Sequence, residues 1–383
     1  MPFGINHLSP VLFGANMSLR TGMRLREMGV TKALFVYDQG VKKAGIPQQI
    51  IANADALGIK VFVYEGVLPD PPDYTVDEAA EIGRREKVDA VIGIGGGSSM
   101  DTAKAVNMLQ NNEGSIKKYL GMGRFQIQNG KQLVLIPTTA GTGSEVTQFC
   151  VLTDSSDHKK KGPGGNFMRA NLAIVDPVLT MGMPPSVTAD TGMDAFAHSA
   201  EAISSGSHNP MSDLLGMEGI KLVCQNLIKA VKNGKDLEAR TAMSFAATLG
   251  GFSFADSITH LGHSIAHTLG ALHHVPHGNA CAIALPEITN FTAEANPDGI
   301  YRIAAAMGLK VGNRGPKATG ILVRDAIRQL NKDIGMKTLR QWGIKESDLM
   351  QIAIDSEAGI GMASPKKADV NDYLGMIRAA WEL

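Results

Sequence analysis

The chain has 383 residues, 44% hydrophobic and including 43 glycines, enough for two packed domains because single cores rarely grow past ~250 residues. Lys plus Arg and Asp plus Glu balance at 37 each, and no like-charge run exceeds the triplet Lys159-Lys160-Lys161, which argues against nucleic acid or an anionic membrane as partner. The opening MPFGINHLSP has no basic segment followed by an apolar one, and no stretch approaches the ~18 apolar residues of a membrane span, so a soluble, cytoplasmic protein with a small ligand is expected.

In chain order, short β-rich runs come first: KALFVYD (32 to 38), KVFVYEG (60 to 66), DAVIGIG (89 to 95) and QLVLIP (132 to 137) alternate with helical patterns. This rhythm predicts a doubly wound parallel sheet. Thr75 and Glu78 stand in capping-box relation ahead of a helical stretch. A polar, glycine-rich loop, SSDHKKKGPGGN (155 to 166), precedes the strand LAIVD. From Met181 the pattern changes: the proline pair of MGMPPS breaks the chain, and long helical segments such as DLLGMEGIKLVCQNLIKAV and DGIYRIAAAMGL follow. An α/β domain over residues 1–182 and an all-helical domain over 183–383 are therefore expected. Cys150, Cys224 and Cys281 lie in apolar surroundings without CxxC spacing and read as reduced core thiols.

Two loops of the first domain suit a dinucleotide. Gly95 to Gly97 fall where a buried strand ends and a helix begins, so the backbone can approach a pyrophosphate and the helix amides after Ser98 can bind it. The triplet is GGGS and not GxGxxG, so the ordinary fingerprint is absent. The next strand ends in PTTAGTGSEVT (137 to 147), and at the same sheet edge Thr138 and Thr139 are placed to meet ribose or phosphate. Asp38, ending its strand, can accept from the adenosine ribose hydroxyls and repel a 2′-phosphate, favouring NAD over NADP; alternatively it forms the turn before Gly40.

In the second domain, six of ten histidines fall between 260 and 277. His263 and His267 share a helix face and His277 sits in the following PHG turn. Upstream, Asp194 and His198 are four apart on another predicted helix, which supplies half a metal site. Imidazoles with one carboxylate suit ferrous iron or zinc and leave a coordination position open for a substrate oxygen.

The motifs GGGSSMDTAKA, PTTAGTGSEVT, TGMDAFAHSAEA, HLGHSIAHTLGA and PHGNA, in this order and spacing, resemble the iron-type (group III) alcohol dehydrogenases over essentially the whole chain. The resemblance implies a dehydroquinate-synthase-like N-terminal fold. It implies Asp194, His198, His263 and His277 as ligands of one divalent ion, and His267 beside the site as proton relay, nicotinamide contact or supporting histidine. It further places Gly96, Gly97, Ser98, Thr138, Thr139, Thr147, Lys160 and Leu179 around NAD, with Lys160 towards the ribose, and implies a homodimer or larger homo-oligomer.

Some positions depart from the family pattern. Pro69-Asp70-Pro71 replaces PNP, and GPGGNFMRA replaces a more apolar loop. His260 stands where a small residue is usual, and Phe149 where some relatives are polar; with Phe254 these are assigned to the substrate pocket. SPKKAD replaces the NPR segment, so Lys366 or His260 could meet an anionic substrate tail. The implied reaction is hydride transfer between NAD(H) and a small alcohol/aldehyde pair, with anionic aldehydes such as sulfoacetaldehyde or succinic semialdehyde among the compatible substrates. The alternatives are a catalytically idle module that binds NAD and metal, and a transient-NAD lyase of the same superfamily.

Overall fold

The structure is a computed structural model and describes residues 3–5, 9–120 and 126–383. The described residues fall into two compact units, one within His7–Thr139 and Gly143–Gly182, the other within Met1–Asn6, Ala140–Thr142 and Met183–Leu383. Ala140 belongs to the apolar core of the helical unit, which explains why this short stretch leaves the sheet unit that surrounds it in sequence.

The first unit holds strands β1 (Val11–Phe13), β2 (Lys32–Asp38), β3 (Lys60–Val67), β4 (Ala90–Gly95), β5 (Gln132–Pro137), β6 (Leu152–Thr153), β7 (Lys160–Lys161) and β8 (Leu172–Val175). Its helices are α1 (Thr21–Glu27), α2 (Gln39–Lys43), α3 (Ile46–Ala56), α4 (Asp73–Glu86) and α5 (Gly97–Leu109). Six strands make a parallel sheet in the order β1-β8-β5-β4-β2-β3. The helices cover both faces, so β4 is buried along its whole length, as its unbroken apolar run requires. After β2 the chain steps outward to β3, then returns to the other side of β2 for β4, which places the reversal of strand order between β2 and β4. Ligand crevices of open α/β sheets form at such a switch point, outside the carboxyl ends of the strands.

Two local expectations change. Helix α4 starts at Asp73, directly after Pro71-Pro72, so Thr75 lies inside the first turn and its hydroxyl donates to Pro72 O at 2.7 Å. Glu78 instead accepts from Tyr64 Oη at 2.9 Å, so no capping box forms. The loop over 155–166 is not wholly irregular: its Lys160–Lys161 form β7, antiparallel to β6, and Lys161 is held by Asp154 and Asp157 at 2.7 and 2.8 Å.

The second unit is helical: α6 (Pro185–Ser204), α7 (Pro210–Lys232), α8 (Leu237–Ser257), α9 (Leu261–His273), α10 (His277–Thr292), α11 (Pro297–Ala306), α12 (Pro316–Asp333), α13 (Leu349–Glu357) and α14 (Val370–Trp381). Pro184 caps α6 and Pro185 takes its first position, where proline has no helical hydrogen bond to lose. Among the described residues no helix is long and apolar enough to cross a membrane.

Candidate active site

In the sheet unit, the register aligns Tyr37 with Ile94, and Gly95 with Pro137, so the loops after β2, β4 and β5 leave one sheet edge side by side. Gly95 has φ +150°, and a Cβ there would stand 2.5 Å from Ser99 Oγ, so glycine is required for the chain to turn from β4 into α5. Gly96 is the N-cap of α5 and supplies no side-chain cap, which leaves the first amides of that helix, from Gly97 and Ser98, without a side-chain acceptor. Thr138 is buried at the end of β5, its N–H donating to Gly95 O at 2.9 Å, and half-buried Thr139 lies beside Gly96.

Asp38 is already engaged by protein groups. One carboxylate oxygen caps α2 by accepting from Val41 N at 2.9 Å, and the other accepts from Ser99 Oγ at 3.0 Å. The turn-forming role is thus realised; the remaining lone pairs leave room for further donors. Thr147 is buried and receives a hydrogen bond from Lys104 Nζ at 3.1 Å. Lys104 is fully buried, donates also to Phe149 O at 2.7 Å, and stands 3.8 Å from Asp101, which in turn accepts from Ser144 Oγ and Val151 N. Sequence reasoning missed this pair; its trace was the i, i+3 spacing of Asp101 and Lys104 on α5. Lys160 pairs with Asp70 at 2.7 Å, and Leu179 packs on the sheet core from a turn capped by Asp176.

In the helical unit, three helices bring the histidine cluster together. Asp194 and His198 project from α6, His263 and His267 from α9, and His277 from the first turn of α10. A Cβ at Gly278 would lie 1.9 Å from the carbonyl oxygen of Asp190, so only glycine lets α10 cross α6 this closely and set His277 beside Asp194. Asp194 Oδ1 is 3.4 Å from His277 Nε2 and 3.8 Å from His263 Nε2. The donor atoms of Asp194, His263, His277 and Cys281 all lie within 4.8 Å of one another. His198 is at the margin of this group: its Nδ1 is buried, 3.6 Å from Asp194 Oδ1, and has no hydrogen-bond partner, while its ring stacks on Phe254 at 4.2 Å. His267 is half-buried, its ring 5.4 Å from that of His277 and 6.2 Å from that of His263.

Two participants were not read from the sequence. Glu201, one turn beyond His198 on α6, is 1% exposed and accepts from His263 Nδ1 at 2.8 Å, which turns His263 Nε2 towards Asp194. Its signal was the 194, 198, 201 spacing on one helix face. Cys281 follows His277 by four residues on α10, and that spacing was its signal.

His260 is placed differently from the substrate role expected of it. It is fully buried at the N-cap of α9, with Nε2 2.9 Å from Ser204 Oγ and its backbone N–H given to Glu201, so its ring offers no surface to a ligand. Lys366 is exposed and lies over the Phe291 ring at 3.8 Å.

The electrostatics follow from burial and proximity. Burial pushes His198 down to about 4, only partly opposed by Asp194. Burial alone would raise the Asp194 carboxyl, but His198, His277 and His263 together hold it well below the carboxylate range. Burial would lower His277, yet Cys281 and Asp194 raise it to about 9. Acidic donors facing imidazoles, with an orphaned buried nitrogen on His198, are what a divalent cation would satisfy. For ~2.0–2.1 Å metal–nitrogen or metal–oxygen bonds, a tetrahedron requires donors ~3.4 Å apart, close to the spacings seen.

Comparison with known proteins agrees. Residues 9–177 match the profile of iron-containing alcohol dehydrogenases, and residues 188–381 that of the C-terminal region of the same family. The chain is 34% identical to 1,3-propanediol dehydrogenase of Citrobacter freundii, covering 96% of each sequence. It superimposes on a crystal structure of 1,3-propanediol oxidoreductase with TM-score 0.95, at 33% identity over 99% of this chain and all of that one. It superimposes on sulfoacetaldehyde reductase of Bifidobacterium kashiwanohense in complex with NAD+ with TM-score 0.92, at 29% identity over all of this chain and 99% of that one. With both halves matched and the fold shared along its length, the chain belongs to the iron-containing alcohol dehydrogenases, oxidoreductases that act on alcohols and aldehydes.

Proposed function

We propose that this chain is an NAD-linked, metal-dependent dehydrogenase that interconverts a short alcohol and its aldehyde. The observation that carries this reading is the convergence of Asp194, His263 and His277, with the unpartnered His198 Nδ1 beside them, from helices far apart in sequence. Those four residues are the proposed ligands; ferrous iron and zinc both suit them. A bound divalent ion would supply Lewis acidity towards the substrate oxygen.

Glu201 orients His263, and Phe254 backs His198 with an apolar ring, so the donors are held before the ion arrives. His267, beside His263 and His277, is assigned to move the hydroxyl proton. On the sheet unit, the α5 N-terminus with Gly96, Gly97 and Ser98 is assigned to the pyrophosphate of NAD, Thr138 and Thr139 to ribose or phosphate oxygens, and Asp38 to the adenosine ribose hydroxyls. The NAD+ complex of the sulfoacetaldehyde reductase supports the choice of cofactor. Thr147, Lys160 and Leu179 complete the assigned surface, although the first two already have protein partners at 3.1 and 2.7 Å. Neither Lys366 nor His260 supports an anionic substrate preference, since one covers Phe291 and the other is buried.

The test is NADH oxidation by metal-depleted enzyme reconstituted with ferrous iron or zinc, against neutral and anionic short aldehydes. Metal-dependent turnover is expected. Asp194→Ala and His263→Ala should lose metal and turnover while still binding NADH. Full activity in either variant would overturn the ligand assignment, and tight NADH and metal binding without turnover on any aldehyde would point to an idle binding module.

A further inference from the structure

We infer that Cys281 supplies a thiolate ligand to the same ion, an inference that rests on the metal reading above. The Sγ is 3.6 Å from His277 Nε2, 3.8 Å from Asp194 Oδ1 and 4.0 Å from His263 Nε2. Among the described residues, all its polar contacts are to these three donors. With one ~2.3 Å metal–sulfur bond and ~2.0–2.1 Å bonds to nitrogen or oxygen, neighbouring sulfur-to-donor edges are about 3.6 Å, and Cys281 joins the four proposed ligands as a fifth donor that leaves a sixth position for substrate. The observed edges exceed this by a few tenths of an ångström at most, so small side-chain movements close the cage.

Local structure explains why the sulfur is there. His277 and Cys281 are successive positions on one face of α10, and the helix is brought against α6 by the crossing at Gly278. Cys281 is 1% exposed, so its sulfur faces the cluster and not solvent. Glu201 fixes His263 from behind and thereby turns Nε2 into the same space as the sulfur.

The consequence is chemical. Coordination displaces the thiol proton, and the thiolate with the Asp194 carboxylate neutralises the charge of a dication, where three imidazoles and one carboxylate would leave a net positive centre. The centre is then softer and a weaker electrophile, suited to zinc or ferrous iron over hard cations such as magnesium.

X-ray absorption at the zinc edge of the zinc-loaded full chain tests this directly. One sulfur scatterer at ~2.3 Å beside a nitrogen/oxygen shell at ~2.0–2.1 Å is expected, and it should vanish in Cys281→Ala at equal zinc loading. The cobalt(II)-substituted wild type should show a near-ultraviolet sulfur-to-metal charge-transfer band that Cys281→Ala lacks. The alanine variant should also bind zinc more weakly by at least the ~10–100-fold typical of losing an outer-shell partner. Bound zinc with only nitrogen and oxygen neighbours in the wild type would overturn the thiolate while leaving the metal reading intact. Failure of the wild type to retain zinc or cobalt would overturn both. The wild-type spectra decide the matter even if the alanine variant does not fold.

Discussion

Gly278→Ala places a methyl group where α10 crosses α6. The new Cβ would stand 1.9 Å from Asp190 O and 2.4 Å from Asp190 C, against 3.4 Å for an ordinary contact, so the two backbones must part by about 1.5 Å (3.4 less 1.9). Both partners are helix backbone and cannot rotate away, which puts the cost near the top of the usual overpacking range, about 3 kcal/mol. For a helical unit of roughly 200 residues that lowers Tm by about 6–12 °C. His277, the neighbouring residue, moves with the backbone, and a displacement of ~1 Å in such a constellation costs ~100-fold in turnover. The assay is thermal unfolding of the metal-free chain, followed by zinc content after dialysis and NADH oxidation. Gly375→Ala is the control: it is exposed inside α14 with nothing within 4 Å of its added Cβ, and should gain about 1 kcal/mol. A Gly278→Ala protein that melts with the wild type and keeps stoichiometric zinc would refute the argument that this crossing sets the site.

Glu201→Gln should weaken zinc binding ~10–100-fold while leaving the helical content unchanged, because the amide cannot hold His263 Nδ1–H as a carboxylate does; chelator competition measures it. The same carboxyl makes a pH signature: the nearby His263 and His260 hold it down to about 2 from an ordinary value near 4.5, against the upward push of burial. A depressed acid contributes stability that is fully present above the unfolded value and lost as pH falls through the folded one. Acid titration of the metal-free chain should therefore show stability falling between about pH 4.5 and 2, and a shallower fall in Glu201→Gln; coincident curves would remove Glu201 from the account. Lys104→Met should destabilise the sheet unit by about 2–3 kcal/mol, since it removes the cation facing half-buried Asp101, which keeps Ser144 and Val151, and frees the Thr147–Phe149 loop. Urea unfolding reads this, and a loss under 1 kcal/mol would show that Lys104 carries little of the load.

Much of this architecture was legible in the sequence because its signals are local. The apolar runs ending at Asp38, Gly95 and Pro137 show where strands stop, and i, i+4 spacing shows which of Asp194, His198, His263 and His267 share a helix face. What sequence could not supply is which side chains meet across helices. Glu201 looks like any polar residue of an alanine-rich helix until α9 brings His263 against it, and Cys281 looks like a core thiol until α10 turns it towards Asp194. His260 was misjudged for the same reason: its neighbours in sequence point to the site, but its position at the N-cap of α9 sends the ring to Ser204. Thr75 and Glu78 had the spacing of a capping box, yet Pro72 fixed the helix start earlier and Tyr64 claimed the glutamate.

The double duty of Asp38 bears on anyone who would re-engineer the cofactor preference of this enzyme. Its carboxylate both caps α2 and receives Ser99, so it fastens together the two β–α junctions that the strand reversal sets side by side. On the proposed ribose role of Asp38, deleting it to admit a 2′-phosphate would also remove an N-cap worth ~1 kcal/mol and loosen the turn into α5. Asparagine separates the two effects, because it keeps a capping oxygen and removes the charge. A library aimed at NADP use should therefore begin from Asp38→Asn, with compensating cations introduced elsewhere along the β2 edge.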